Sequence, residues 1–170
     1  NSWINISDKF ITWDKKKNHK CIQLPPTYSL DKINIEKAKN KKILFCTANT
    51  NLYAHRIQDY IVSSQIKLYL IFWKEFIEKL NLKIKADLII RHVPNSDRWQ
   101  LKKEFEKILG YDAISKKKKF LDELKNSKII IHTALQTTFF ESMLAGVPTV
   151  VLLKEELWNI SESEKEIYNL

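Results

Sequence analysis

The residue pattern predicts an α/β protein, a doubly wound and mainly parallel sheet with helices on both faces. Three observations carry this. Short apolar runs, Ile43-Leu44-Phe45-Cys46, Leu88-Ile89-Ile90, Ile129-Ile130-Ile131 and residues 147–153, have the continuous aliphatic character of strands buried on both sides. Stretches with helical spacing separate them, as parallel strands joined by crossovers require. The only two glycines, Gly110 and Gly146, each follow a helical stretch, where a positive φ ends a helix.

Taken in order, residues 1–40 form a leader with scattered anchors (Trp3, Ile4, Ile6, Phe10, Trp13) and the extended Pro25-Pro26 pair. It reads as irregular or as an edge segment, and the α/β domain proper reads as residues 41–170. The first strand is bounded by lysines and by Asn49-Thr50-Asn51. Residues 53–82 hold Ile57, Tyr60, Ile61, Leu68, Ile71, Phe72, Phe76, Ile77 and Leu80 at helical spacing without Gly or Pro, predicting one long helix or two abutting ones. A strand follows over 86–93, a turn at Pro94-Asn95-Ser96-Asp97, and a helix over 99–109. Residues 111–114 read as a short strand, 120–126 as a short helix, 128–132 as a strand, 137–145 as a helix, 147–153 as a strand and the remainder as helical.

The scarcity of glycine excludes a Walker phosphate loop and a G-x-G-x-x-G turn, so ATPase, GTPase and ordinary NAD-dehydrogenase chemistry are disfavoured. The chain has 170 residues and a net charge of +9, from 29 Lys and Arg against 20 Asp and Glu. That surplus suits a polyanion partner or a phosphorylated substrate. Its lysine runs at 15–17, 41–42 and 116–119 carry no sequence readout of their own and equally suit a solvated surface. Cys21 and Cys46 lack metal or disulfide spacing, which fits a reducing compartment. No apolar run approaches the roughly 18 residues that span a bilayer. The start without Met and the end within a helix-like stretch suggest a piece of something longer.

Ligands of open parallel sheets bind beyond the carboxyl ends of the strands. The residues there are Thr47, Asn49, Thr50 and Asn51 after the first strand; Arg91 and His92 after the second; and His132, Thr133, Gln136, Thr137 and Thr138 after the third. The helix opening near Thr137 offers free N–H groups and a dipole to a phosphate. Glu141, one turn in, suits ribose hydroxyls. Thr138-Phe139-Phe140-Glu141 also spells a capping box, in which Glu141 would bond back to the cap. Arg91 has an alternative too, pairing with Asp87 or Asp97. His132 is a candidate catalytic residue because it closes the strand that leads into this turn, while His92, His19 and His55 lack an evident role. The run 68–73, flanked by Lys67 and Lys74, reads as core, with membrane docking as the alternative.

Residues 129–153 resemble the donor-site strand, turn and helix of two-domain, Rossmann-like glycosyltransferases of the GT-B fold. The match runs through Thr137, Thr138, Glu141, Ala145, Gly146, Pro148 and Thr149. A wider stretch resembles a transferase family of bacterial surface-carbohydrate gene clusters, through Thr12-Trp13, Pro25-Pro26, a long helix with a Tyr-Ile element, and Arg91, Pro94 and Trp99. The resemblance implies the C-terminal, nucleotide-sugar-binding half of an enzyme of surface polysaccharide biosynthesis, cytoplasmic or peripheral to the inner face of the membrane. The donor-binding set would be Arg91, Thr137, Thr138, Glu141, Asn49 and Gln136, with Thr137, Thr138 and Arg91 on the phosphates and Glu141 on hydroxyls. Leu135-Gln136 stands where such enzymes often have a glycine pair, which crowds the phosphate approach. With no D-x-D pair, neither a metal nor another cofactor is expected. The remaining partners would be an N-terminal acceptor-binding domain, needed for efficient turnover and the usual source of any catalytic base, and a saccharide or lipid-linked acceptor. Nucleic acid is the disfavoured partner, raised by the charge and by five tryptophans able to stack on bases. A non-catalytic scaffold of the same fold is the other alternative.

Overall fold

The computed structural model describes residues 2–12, 18–24, 42–48, 63–92 and 99–158. The chain divides into two compact units, residues 1–33 and 34–170. In the first, α1 (Ser2–Ile6) is followed by β1 (Phe10–Thr12) and β2 (Cys21–Gln23), which pair in parallel with Phe10 opposite Cys21. Asn18 turns the chain into β2, its Oδ1 accepting from the Lys20 amide at 2.9 Å.

The second unit is the α/β body. Among the described residues its strands are β3 (Lys42–Cys46), β4 (Leu88–Arg91), β5 (Ser127–His132) and β6 (Thr149–Val151), all parallel and arranged β4-β3-β5-β6. The helices are α2 (Ile66–Lys79), α3 (Leu82–Asp87), α4 (Leu101–Leu109), α5 (Phe120–Leu124) and α6 (Thr137–Leu144). The predicted fold class is thus the observed one.

The period-2 alternation of the strands sorts the helices onto two faces. Ile43, Phe45, Leu88, Ile90 and Ile131 point into a core built with α2 and α4. There α2 presents Ile66, Tyr69, Trp73 and Ile77 along one stripe, all at most 3% exposed. Phe45 lies between Phe76 and Phe105, with ring centroids 6.1 and 6.2 Å away. Truncating such a ring to alanine costs about 3–5 kcal/mol. Leu44, Ile130 and His132 face the other way, where His132 meets Phe120 of α5 and Phe139 of α6.

Several boundaries differ from expectation. The predicted helix over 53–82 is, within the described residues, two helices. Leu80 turns extended, and Asn81 then caps α3, its Oδ1 accepting from the Ile84 amide at 2.9 Å. The helix α3 runs through Asp87, so β4 starts two residues later than residue 86. Residues 111–114 form a 3-10 turn (Tyr111–Ala113) instead of a strand, and only Ile114 bridges to Ile90. Residues 68–73 belong to the core through Tyr69, Leu70, Phe72 and Trp73, while Leu68 and Ile71 are exposed. After β6 the described residues hold a 3-10 turn (Glu155–Leu157), and the rest of the segment expected to be helical, residues 159–170, lies outside the described residues. Gly146 closes α6 as predicted, with φ +69°, its amide bonding Met143 O and the Val147 amide bonding Ser142 O.

At the carboxyl edge, Thr133 joins β5 to β3. Its Oγ1 donates to Cys46 O at 3.0 Å and accepts from the Ala48 amide at 2.7 Å, and its own amide reaches Cys46 O at 3.1 Å. The residue is fully buried. Thr133→Val keeps the shape and strips the hydroxyl, leaving the Ala48 N–H without its acceptor, so the unfolding free energy should fall by about 2 kcal/mol while Thr133→Ser loses less. Urea titrations of the three proteins measure this directly.

Candidate functional site

The chain leaves β3 for β4 on one side, and β5 lies on the other, so the strand order reverses at β3. In open parallel sheets such a switch point opens a crevice at the carboxyl ends of the strands. Cys46 is in register with both Arg91 and His132, so Arg91 and His132 stand level, two strand spacings or roughly 10 Å apart. The edge is tied on both sides of β3, because the Thr47 amide donates to Arg91 O at 2.9 Å while Thr133 holds Cys46 O. Burial pushes the Cys46 thiol up to about 12, with the nearby Arg91 charge opposing, so it stays protonated.

From β5 the chain turns through residues 133–136 and enters α6. Gln136 is the N-cap in extended conformation and makes no side-chain cap bond. The Phe139 amide returns to Gln136 O at 2.9 Å, while the Thr137 and Thr138 amides, the first two of the helix, have no backbone acceptor among the described residues. Gln136, Thr137 and Thr138 therefore sit together on one turn, Thr137 exposed and the other two half-buried. This corrects the capping-box alternative. Thr138 lies two residues inside the helix, so Glu141 cannot be the return arm of a box capped by Thr138. The Glu141 carboxylate is half-buried and has no hydrogen-bond or ion-pair partner among the described residues. Burial raises its pKa from the ordinary carboxylate value.

Arg91 does something neither alternative anticipated. Its Nη1 donates to Lys117 O at 2.9 Å and its Nη2 to Lys118 O at 3.0 Å, while the guanidinium lies over the Phe120 ring at 5.8 Å. It orders the lysine-rich loop ahead of α5. Asp87, at the opposite end of β4, pairs instead with Lys42 (3.1 Å) and Lys128 (2.5 Å). Asp97 lies outside the described residues, as do Asn49, Thr50, Asn51, His55, Trp13, Pro25, Pro26 and Pro94. His92 follows β4 and is half-buried, and His19 is exposed in the first unit.

His132 is 1% exposed. Its Nε2 lies 3.0 Å from Ser142 Oγ, which donates to Phe139 O at 2.7 Å, and Thr149 Oγ1 approaches Ser142 Oγ at 3.1 Å. With the Ser142 proton committed to Phe139 O, the geometry favours the tautomer in which His132 Nε2 donates. The network joins β5, α6 and β6. Burial lowers the imidazole from 6.5 to about 4, so it is neutral at pH 7. Ser142 escaped sequence reading because a serine inside an apolar helix gives no signal until its partners are known. Phe120, the platform under Arg91, escaped for the same reason.

An open parallel sheet with a tied switch point defines the class, a Rossmann-like α/β fold. The chain belongs to the LIC12162 family of transferases, whose sequence profile matches residues 1–170. No curated protein and no solved structure matches it. Among the described residues, no helix is long and apolar enough to cross a membrane.

The buried histidine makes stability depend on pH. The unfolded chain takes up a proton on His132 near pH 6.5, which the folded chain refuses until about 4. Stability from this group is therefore complete above pH 6.5 and is lost as pH falls through that window, by about 3 kcal/mol in all. Denaturant titrations at pH 7 and 4.5 should show the loss, and His132→Gln should flatten it. A parallel fall in both proteins would assign the effect to other groups.

Proposed function

We propose that this transferase binds a nucleotide-sugar at the carboxyl edge of its sheet, as the donor-binding part of a GT-B-type glycosyltransferase of bacterial surface polysaccharide biosynthesis. One observation carries the reading. The amides of Thr137 and Thr138, without a backbone acceptor among the described residues, open beside the switch point, with a half-buried carboxylate, Glu141, that has no partner among the described residues one turn further in. A helix N-terminus at a switch point suits a diphosphate. An unpartnered carboxylate at raised pKa costs stability, a cost a ribose diol would offset by donating two hydrogen bonds.

The reaction is substitution at the anomeric carbon. An acceptor hydroxyl forms the new C–O bond, the bond to the diphosphate breaks with its electron pair leaving on the nucleotide, and the acceptor proton passes to a base. In this reading the base and the acceptor site belong to an N-terminal domain, and the acceptor is a saccharide or a lipid-linked saccharide. The leaving diphosphate gains charge, which the amides of Thr137 and Thr138 stabilise without a metal. Arg91 contributes its charge from across β3 while it holds the loop at Lys117 and Lys118. Gln136 borders the phosphate turn. His132, committed to Ser142 and neutral, positions α6 against the sheet. The location is cytoplasmic or at the inner face of the membrane.

Calorimetric titration with CMP, UDP and GDP tests the reading. One nucleotide should bind selectively, and Glu141→Gln should weaken it about tenfold, the loss of a charged hydrogen-bond acceptor. The same variant should match or exceed the parent's thermal stability, since it removes a carboxylate whose burial is unfavourable. Binding that is unchanged in Glu141→Gln, or confined to a single-stranded oligonucleotide and lost steeply with salt, overturns the proposal in favour of a scaffold or a polyanion binder respectively.

A further inference from the structure

Among the described residues, the sheet face bearing Leu44 and Ile130 is covered by the five-residue α5 and the eight-residue α6. Beside α5 this leaves a cavity of about 360 Å³, within the range of small-molecule sites, about 300–1,000 Å³. It lies along the amino-terminal halves of β3, β4 and β5, between Lys42 and Ser127 at their starts and Ile114 and Ser115 outside β4. The phosphate turn of α6 does not line it.

Its floor is apolar, formed by Leu44, Ile89 and Ile114. Into its wall comes a buried carboxylate, Glu123, whose side chain is 8% exposed. Glu123 Oε1 accepts from Ser115 Oγ. Its Oε2 lies 3.9 Å from Lys117 Nζ, beyond hydrogen-bond reach, and so keeps room for a donor. Buried carboxylates are costly unless their lone pairs are filled, and a ligand hydroxyl fills this one.

The rim is cationic. Lys42, Lys116 and Lys117 line it against a single rim carboxylate, Asp112. The Lys116–Asp112 pair is 3.4 Å long between side chains 63% and 97% exposed, a contact of little energy that an incoming anion can displace. Lys42 shares Asp87 with Lys128, two cations on one carboxylate, which leaves positive charge in surplus at that end.

We propose that this cavity is a second ligand site, for a small hydroxylated molecule bearing one anionic group, such as a sugar phosphate or a sugar acid. A hydroxyl donates to Glu123 Oε2, the carbon face of the ring lies on Leu44, Ile89 and Ile114, and the anion meets Lys116 and Lys42. The site is independent of the donor reading and stands if that reading fails. Arg91 connects the two regions, because it anchors the carbonyls of Lys117 and Lys118 behind the rim.

Calorimetry of the full chain with glucose 1-phosphate, glucuronate, glucose and inorganic phosphate tests this. At least one of the two anionic sugars should bind, about tenfold or more tighter than glucose and than phosphate, and the tighter of the two identifies the anion. Lys116→Gln should cut that affinity about tenfold. Lys116 is exposed, so its variant will fold, as circular dichroism will verify; Glu123→Gln should show a similar loss where it folds. Glu141→Gln should leave this binding intact. No binding, equal affinity for inorganic phosphate, or a loss in Glu141→Gln without one in Lys116→Gln each overturns the proposal, the last by moving the ligand to α6.

Discussion

The carboxyl edge of the sheet depends on how β3 is held between its two neighbours. Parallel strands with opposite connections part at a switch point, and a polar crevice at that place would wet the ends of the strands unless their amides were satisfied. Two threonines meet this requirement. Thr47 continues the ladder onto Arg91 O, and Thr133 bonds both Cys46 O and the Ala48 amide from a fully buried position. The ends of the strands on either side of β3 are therefore held rigidly. The edge residues are positioned from them, since Arg91 and His132 flank Cys46 in register and α6 begins four residues after Thr133.

The two faces of the sheet are built unequally. One carries α2 and α4 over a core of aromatic rings, with Trp73, Tyr69, Phe45 and Phe105 fully buried. The other relies on short helices, and polar links take a larger share of holding them. His132, Ser142 and Thr149 tie α6 to β5 and β6, while Arg91 over Phe120 and two loop carbonyls anchor the start of α5. Hydrogen bonds of this kind are specific in direction, so they place α6 closely although its apolar contact is small. Phe140, Met143 and Leu144 on its outer side are exposed. The cavity beside Glu123 lies on this face.

Membership of the LIC12162 transferase family and the geometry of the edge meet in one physical statement. The proposed reading asks this edge to hold a leaving group that gains negative charge, and the edge carries the Thr137 and Thr138 amides and the Arg91 charge with little carboxylate among the described residues near them. Glu141 is the exception. A half-buried carboxylate with a raised pKa and no partner among the described residues is unfavourable for folding alone, which is the physical ground on which the proposed function gives it ligand hydroxyls.

The sequence by itself determined the class of fold, because four continuous apolar runs separated by helical spacing can satisfy their backbone groups and bury both faces only as parallel strands under helices. It also determined the end of α6, since Gly146 takes a φ of +69° that other residues resist. The edge residues were legible as a set for the same reason, as positions just beyond each strand. Their individual roles were not. Whether Arg91 meets a carboxylate, a phosphate or a carbonyl depends on the loop at Lys117 and Lys118, which is distant in sequence and brought close by β4. The expected capping box at Thr138 failed because a helix start shifted by two residues changes which side chain faces the free amides, and local pattern does not settle so small a shift. Ser142, Thr149 and Glu123 draw their meaning wholly from partners on other elements, and only the tertiary structure brings those partners within hydrogen-bond reach.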